Sequence, residues 1–216
     1  MRPYCTVLAR LLAGGLLAFT LFTLPSCAGR VSSQITPTYA QHPPARVAVM
    51  PIRNQTGTSL VAPTPHTYLK PLLEKTFSSR PQNVNDVPLA LRRKINHTLS
   101  QKTYGILPLE VVDARVGKRQ AQDILQLPAA EAKQMLGADS LLTSTITTWD
   151  TRKLKTANTV VVAASFALVD LDTKSVVWEA EWPYGRVSVN ASQPWHDVRY
   201  YISRVVDEVF ATLPEH

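Results

Sequence analysis

Glu179 and Glu181 are the side chains whose spacing comes nearest to catalytic machinery in this sequence. Two residues apart on a strand, they project from one face about 7 Å apart, a separation that suits paired carboxylates acting as acid and base. The same alternation puts Val176, Trp178, Ala180 and Trp182 on the opposite face. A solvated strand face backed by a tryptophan-bearing core face therefore accounts for both glutamates, and no cleft residue stands beside them. The histidines His42, His66, His97, His196 and His216 are scattered, and none forms His-x-x-x-His or pairs with a cysteine as a metal site would require. Asp170 and Asp172 read as turn residues. No G-x-S-x-G, Walker A or G-x-G-x-x-G occurs. The sequence predicts no catalytic set, no metal ligands and no cofactor.

Cys27 is where covalent chemistry is expected. Arg2 and Arg10 precede a charge-free run from Leu11 to Leu24, too short to span a bilayer and suited to a signal-peptide core. It ends in Leu24-Pro25-Ser26-Cys27, which resembles a bacterial lipobox. That resemblance implies cleavage between Ser26 and Cys27, a diacylglyceryl thioether on Cys27 and acylation of the new amine. Ala28, in place of Asp, implies transfer to the outer membrane. Cys5 leaves with the signal, so the mature chain holds no free thiol for a disulfide, a zinc site or a nucleophile.

Of 216 residues, 45% are hydrophobic and 18% charged, which excludes a disordered chain and fits one domain. Removing residues 1–26 leaves 21 basic and 16 acidic residues, +5 over 190 residues. Outside the cytosol that balance suits anionic envelope surfaces rather than nucleic acid. Arg92-Arg93-Lys94 and Arg152-Lys153 are the tightest basic groups, and a solvated helix face and a loop explain them.

Three parts are expected: signal 1–26, a lipidated Ser/Thr/Pro-rich tether 27–45, and an α/β domain 46–216. The domain opens on a buried strand, VAVMPI, followed by a Pro-rich loop over residues 58–83. Asp86 and Pro88 start a helix over 87–102 with Leu91, Ile95 and Leu99 on one face. ILPLEVVD (106–113) reads as a strand. Helices over 118–125 and 129–136 follow, the second stopped by Gly137. Strands over 140–149, 159–169 and 175–182 come next, the last two joined as a hairpin by residues 170–174. A helix over 195–213 closes a single mixed-sheet α/β sandwich.

VAVMPIRNQTG (47–57), YGILPLEVVDA (104–114), GADSLLTSTITTWDT (137–151) and FALVDLDTKSVVWEAEW (166–182) occur in an order that resembles the CsgG-related family of bacterial envelope lipoproteins. The nearest likeness is to lipoproteins of the neisserial surface-antigen type. The penicillin-binding-protein activator LpoB and the N-terminal domain of TolB share the fold at greater distance. The resemblance implies a TolB-N/CsgG-like α/β domain without enzymatic activity, lipid-anchored at the outer membrane and facing the periplasm. It also implies binding to other envelope proteins or to further copies of itself, in secretion or cell-wall work. Tyr68 and Phe77 in the Pro-rich loop are the candidate partner contacts. The alternative is an oligomeric secretion channel in which the 159–182 hairpin, with Phe166 and Leu168 on its apolar face, crosses the membrane.

Overall fold

The computed structural model describes residues 31–58, 60, 86–157, 159–188 and 198–215. In chain order they form β1 (Ser32–Ile35), α1 (Pro37–Gln41), β2 (Arg46–Val49), β3 (Arg53–Asn54), α2 (Val87–Gln101), β4 (Gly105–Ile106), α3 (Leu109–Val116), α4 (Ala121–Gln126), α5 (Ala129–Leu136), β5 (Ser140–Asp150), α6 (Leu154–Ala157), β6 (Thr159–Asp170), β7 (Val176–Ser188) and α7 (Val198–Phe210).

Local signals set several boundaries. The Asp86 carboxylate accepts from the Leu89 N–H at 3.1 Å and Pro88 occupies the first turn, so α2 begins where its donors are satisfied. Gly137, at φ 68°, ends α5 in the left-handed conformation that a Cβ would disfavour. In the β6–β7 turn, Asp170 accepts from the Thr173 N–H at 2.7 Å and from its hydroxyl at 2.9 Å. Lys174 completes that turn at φ 57°.

The described strands make one sheet in the order β1-β7-β6-β5-β2-β4, with β3 beside β5 beyond the end of β2. β5, β6, β7 and β1 are successively antiparallel, while β2 and β3 run parallel to β5 and β4 runs parallel to β2. One end of the sheet thus gathers Asp150, Thr159 and Ser188, and the other gathers Ser140, Asp170 and Val176; they are called here the Asp150 end and the Asp170 end.

Alternation separates two cores. Leu142, Ile146, Phe166, Leu168, Trp178 and Ala180 face α2 and α7, which contribute Leu91, Ile95, Leu99, Val205, Val209 and Phe210. The Phe210 ring lies 5.5 Å from Phe166 and 5.3 Å from Trp178, contacts worth about 0.5–1.5 kcal/mol each beyond the area they bury. On the opposite face a smaller core joins Ala48, Met50, Leu141 and Val169 to Val112, Ile124, Ala132 and Leu136 of α3–α5. The expected mixed-sheet α/β architecture is the architecture found.

Three expectations change. ILPLEVVD is not a strand: β4 stops at Ile106, Pro108 caps α3, and Leu109, Val112 and Val116 are buried at helical spacing. Packing of that apolar stripe on β2 and α5 outweighs the strand preference of Val111 and Val112. The segment expected as a tether is ordered from Val31 onward: β1 pairs with β7, and the α1 residue Tyr39 is buried in the larger core. Its sequence carries no apolar period because β1, exposed at all four side chains, is held by backbone hydrogen bonds. Finally, Arg92 is not part of a solvated helix face. It is 4% exposed, donates to the Val49 carbonyl at 2.8 and 3.1 Å and meets Asp113 at 2.6 Å, fastening α2 to the end of β2 and to α3.

Candidate functional site

Register settles where the two glutamates belong. Glu181 pairs with Ser165 of β6 on one side and Ser32 of β1 on the other; Ser165 pairs with Thr145 of β5, and Thr145 with Arg53 of β3. Residues directly opposite one another on paired strands share a face. Ser32, Glu181, Ser165, Thr145 and Arg53 therefore form one row, and Gln34, Glu179, Ala167 and Thr143 the next. Every member of both rows is half-buried or exposed. The next pair, Leu141 and Val169, already belongs to the smaller core under α3–α5.

The result is an open face of Ser, Thr and Ala, low in profile and carrying hydroxyls, with carboxylates on one flank and a guanidinium on the other. Glu181 and Arg53 stand three strand spacings apart, about 14 Å. Such a face suits another sheet or an extended segment laid across it, since small side chains let a second layer approach to about 10 Å. A second copy turned by a two-fold parallel to the strands would bring its Arg53 flank over the Glu181 flank of the first.

Among the described residues no group of three His, Cys, Asp or Glu side chains, Glu179 and Glu181 included, is placed to hold a metal ion. His42 and His97 are exposed on the surface. Between α2, α7, β5 and β6 lies an apolar cavity of about 10 Å³, lined by Val87, Leu91, Ile146, Trp149 and Ile202 among others, no larger than one water needs. Ser26, Cys27, Tyr68, Phe77, His66, His196 and His216 lie outside the described residues.

Perturbed ionisation follows burial and hydrogen bonding. Burial pushes the Tyr104 phenol far above its ordinary value, helped by a hydrogen bond with the Tyr39 hydroxyl, and Tyr104 also donates to the Pro214 carbonyl at 2.8 Å. These contacts tie α1, the start of β4 and the chain beyond α7 together. At the other end of the sheet the Arg152 guanidinium pulls the Asp150 carboxyl down to about 2.

The hairpin residues that the channel alternative would turn to lipid have a place too. Val160, Val162, Ala164, Phe166 and Leu168 all lie in the larger core under α7. Among the described residues no helix is long and apolar enough to cross a membrane.

Residues 79–214 match the model of the GNA1162-like lipoprotein family, well over half of the chain. The chain belongs to the GNA1162-like family. Solved structures similar to this GNA1162-like chain include lipoprotein GNA1162 from Neisseria meningitidis, at 18% identity and a TM-score of 0.47 over 79% of this chain and 99% of that one. The PelC dodecamer from Paraburkholderia phytofirmans is similar at 18% identity and a TM-score of 0.48, over 86% and 97% of the two chains. The LpoB C-terminal domain from Salmonella enterica follows at 13% identity and a TM-score of 0.36, over 81% and 94%. No curated protein sequence matches the chain.

Reading the sequence alone found the glutamate-bearing face of β7 but missed its continuation. Nothing in residues 53, 145 or 165 taken singly marks them as neighbours; only the register of four strands does.

Proposed function

We propose that this GNA1162-like protein is a lipid-anchored outer-membrane lipoprotein, cleaved after Ser26 and acylated on Cys27, whose α/β domain faces the periplasm. It acts without catalysis, as a subunit or accessory of an envelope assembly in secretion or cell-wall work. The open face of β5, β6, β7 and β1 receives a protein partner or a second copy of the chain, and Tyr68 and Phe77 add contacts from the Pro-rich loop. Kinship with the wider CsgG-related lipoproteins is part of the same reading.

The observation that carries it is the row Ser32, Glu181, Ser165, Thr145 and Arg53: strand positions of a central sheet that no described element buries. Sheets in single domains bury one face and solvate the other with charged, long side chains. Here the centre of the solvated face is Ala, Ser and Thr, a composition that lets another backbone come close. Family membership supports the envelope setting.

A photo-crosslinking amino acid at Thr145 or Ser165, introduced into the full-length protein in its native host, tests this. Defined adducts with one envelope protein or with a second copy are expected, and none from the same probe at Lys118, on the exposed loop between α3 and α4. Equal or absent crosslinking at all three positions would overturn the assignment of this face.

A further inference from the structure

The sheet begins five residues after Cys27. β1 runs antiparallel to β7, with Ser32 opposite Glu181 and Ile35 opposite Trp178, so the chain enters β1 from the direction of the Asp150 end. Beyond Glu181, β7 continues for seven residues to Ser188, paired with β6 and running past the start of β1. Whatever path they take, five residues reach no more than about 17 Å at about 3.4 Å each. A free tether over residues 27–45 would reach about 60 Å and leave the domain's orientation open. The ordered β1 removes most of that freedom.

The Asp150 end is also the basic end. Asp150 is the one acidic residue between positions 147 and 169, against Arg152, Lys153 and Lys155 in the β5–β6 connection. Arg152 holds Asp150 at 2.6 Å while its side chain remains 88% exposed, and Lys153 is exposed beside it. Arg186 occupies the matching level of β7, opposite Val161. The Asp170 end is balanced instead: Asp139, Asp170 and Asp172 stand there against Arg46, Lys174 and Lys133, the last paired to Asp172 at 2.8 Å. A short lead from the acylated residue and a basic loop thus point the same way.

We propose that the Asp150 end faces the membrane and that the basic β5–β6 connection, through Arg152 and Lys153, forms a second attachment, on the anionic headgroups of the leaflet holding the acyl chains. This rests on acylation of Cys27. One acylated residue fixes a point; the basic loop fixes an orientation, because charge near an anionic leaflet is attractive only within about a Debye length of its surface. Seven residues of β7 past Ser32 span about 23 Å, more than the reach of Cys27, so the strands lean toward the β1 edge instead of standing upright, and the open face looks sideways, toward neighbours in the same leaflet.

The test uses the mature acylated protein with one added cysteine, Thr156→Cys in α6 or Asp172→Cys in the β6–β7 turn, labelled with a fluorophore. The protein is placed in vesicles of phosphatidylethanolamine and phosphatidylglycerol containing a headgroup-attached quencher. The label at 156 should be quenched severalfold more than the label at 172. Combining Arg152→Glu, Lys153→Glu and Lys155→Glu, or replacing phosphatidylglycerol by phosphatidylcholine around the unaltered loop, should each cut the difference by half or more. Equal quenching at 156 and 172, or a difference indifferent to both changes, overturns the proposal. The intact mass of the same preparation separates the two levels: a chain lacking acyl groups on Cys27 removes the anchor and with it this inference. An acylated chain with a silent label at 156 removes the inference alone.

Discussion

The two faces of the β5–β6–β7 sheet share one backbone and have opposite contents. Toward α2 and α7 stand Phe166, Leu168, Trp178 and Ile146, each at most 2% exposed; toward the outside stand Ser165, Ala167, Thr145 and Glu181. Alternation with period two lets a single strand serve both purposes. The large residues supply the transfer free energy that holds α7 in place, about 2–3 kcal/mol for each fully buried side chain. The small ones contribute little to stability. Folding and recognition are thereby written on alternate residues, and either should be alterable without the other.

The largest effect expected from that division is Phe166→Ala. It removes the ring between β6 and Phe210 and should cost about 3–5 kcal/mol in urea denaturation. A loss below about 1 kcal/mol would mean that this face does not carry the core and would reopen the channel alternative. A smaller effect concerns the Tyr39–Tyr104 contact at the rim of the same core. The Tyr104 phenol is raised above its ordinary value of 10.0, so its contribution is complete below pH 10. As pH rises past 10 the unfolded phenol ionises while the folded one stays neutral, and stability falls by up to about 1.4 kcal/mol per pH unit. Tyr104→Phe should be less stable at pH 8 yet show a shallower alkaline loss; an unchanged slope would contradict it. Smallest is Ser165→Leu on the open face, within about 0.5 kcal/mol of the parent in the same denaturation. That variant should nonetheless abolish crosslinking from Thr145, which a merely solvated face would not do.

What the sequence made legible follows from how local each signal is. Asp86 and Pro88 announce α2 because a cap acts within one turn, and Gly137 announces the end of α5 for the same reason. The residues Ser140–Asp150 read as a strand through their β-branched density. By contrast, Leu109, Val112 and Val116 disclose a helix only against the surface that receives them, and the adjacent Val111-Val112 reads equally well as strand. Ser32–Ile35 offers no side-chain signal, since an edge strand is recruited by the donors and acceptors of β7. Arg92 is buried because Val49 and Asp113, 43 and 21 positions away, supply the acceptors. The open face was half visible: Glu179 and Glu181 show by alternation, while Arg53 and Thr145 join them only through pairings that a register shift between Ile146 and Thr148 helps set.

The way β1 meets β7 has a mechanical side. On the proposed anchor at Cys27, any tug from the membrane enters the domain at Ser32, along the axis of β1. Force in that direction shears the four paired residues of β1 together instead of peeling them one by one, and behind them it meets Tyr39, buried against Tyr104. A strand with no apolar side of its own then works as a strain relief, spreading the pull of the lipid over the sheet before it reaches the core.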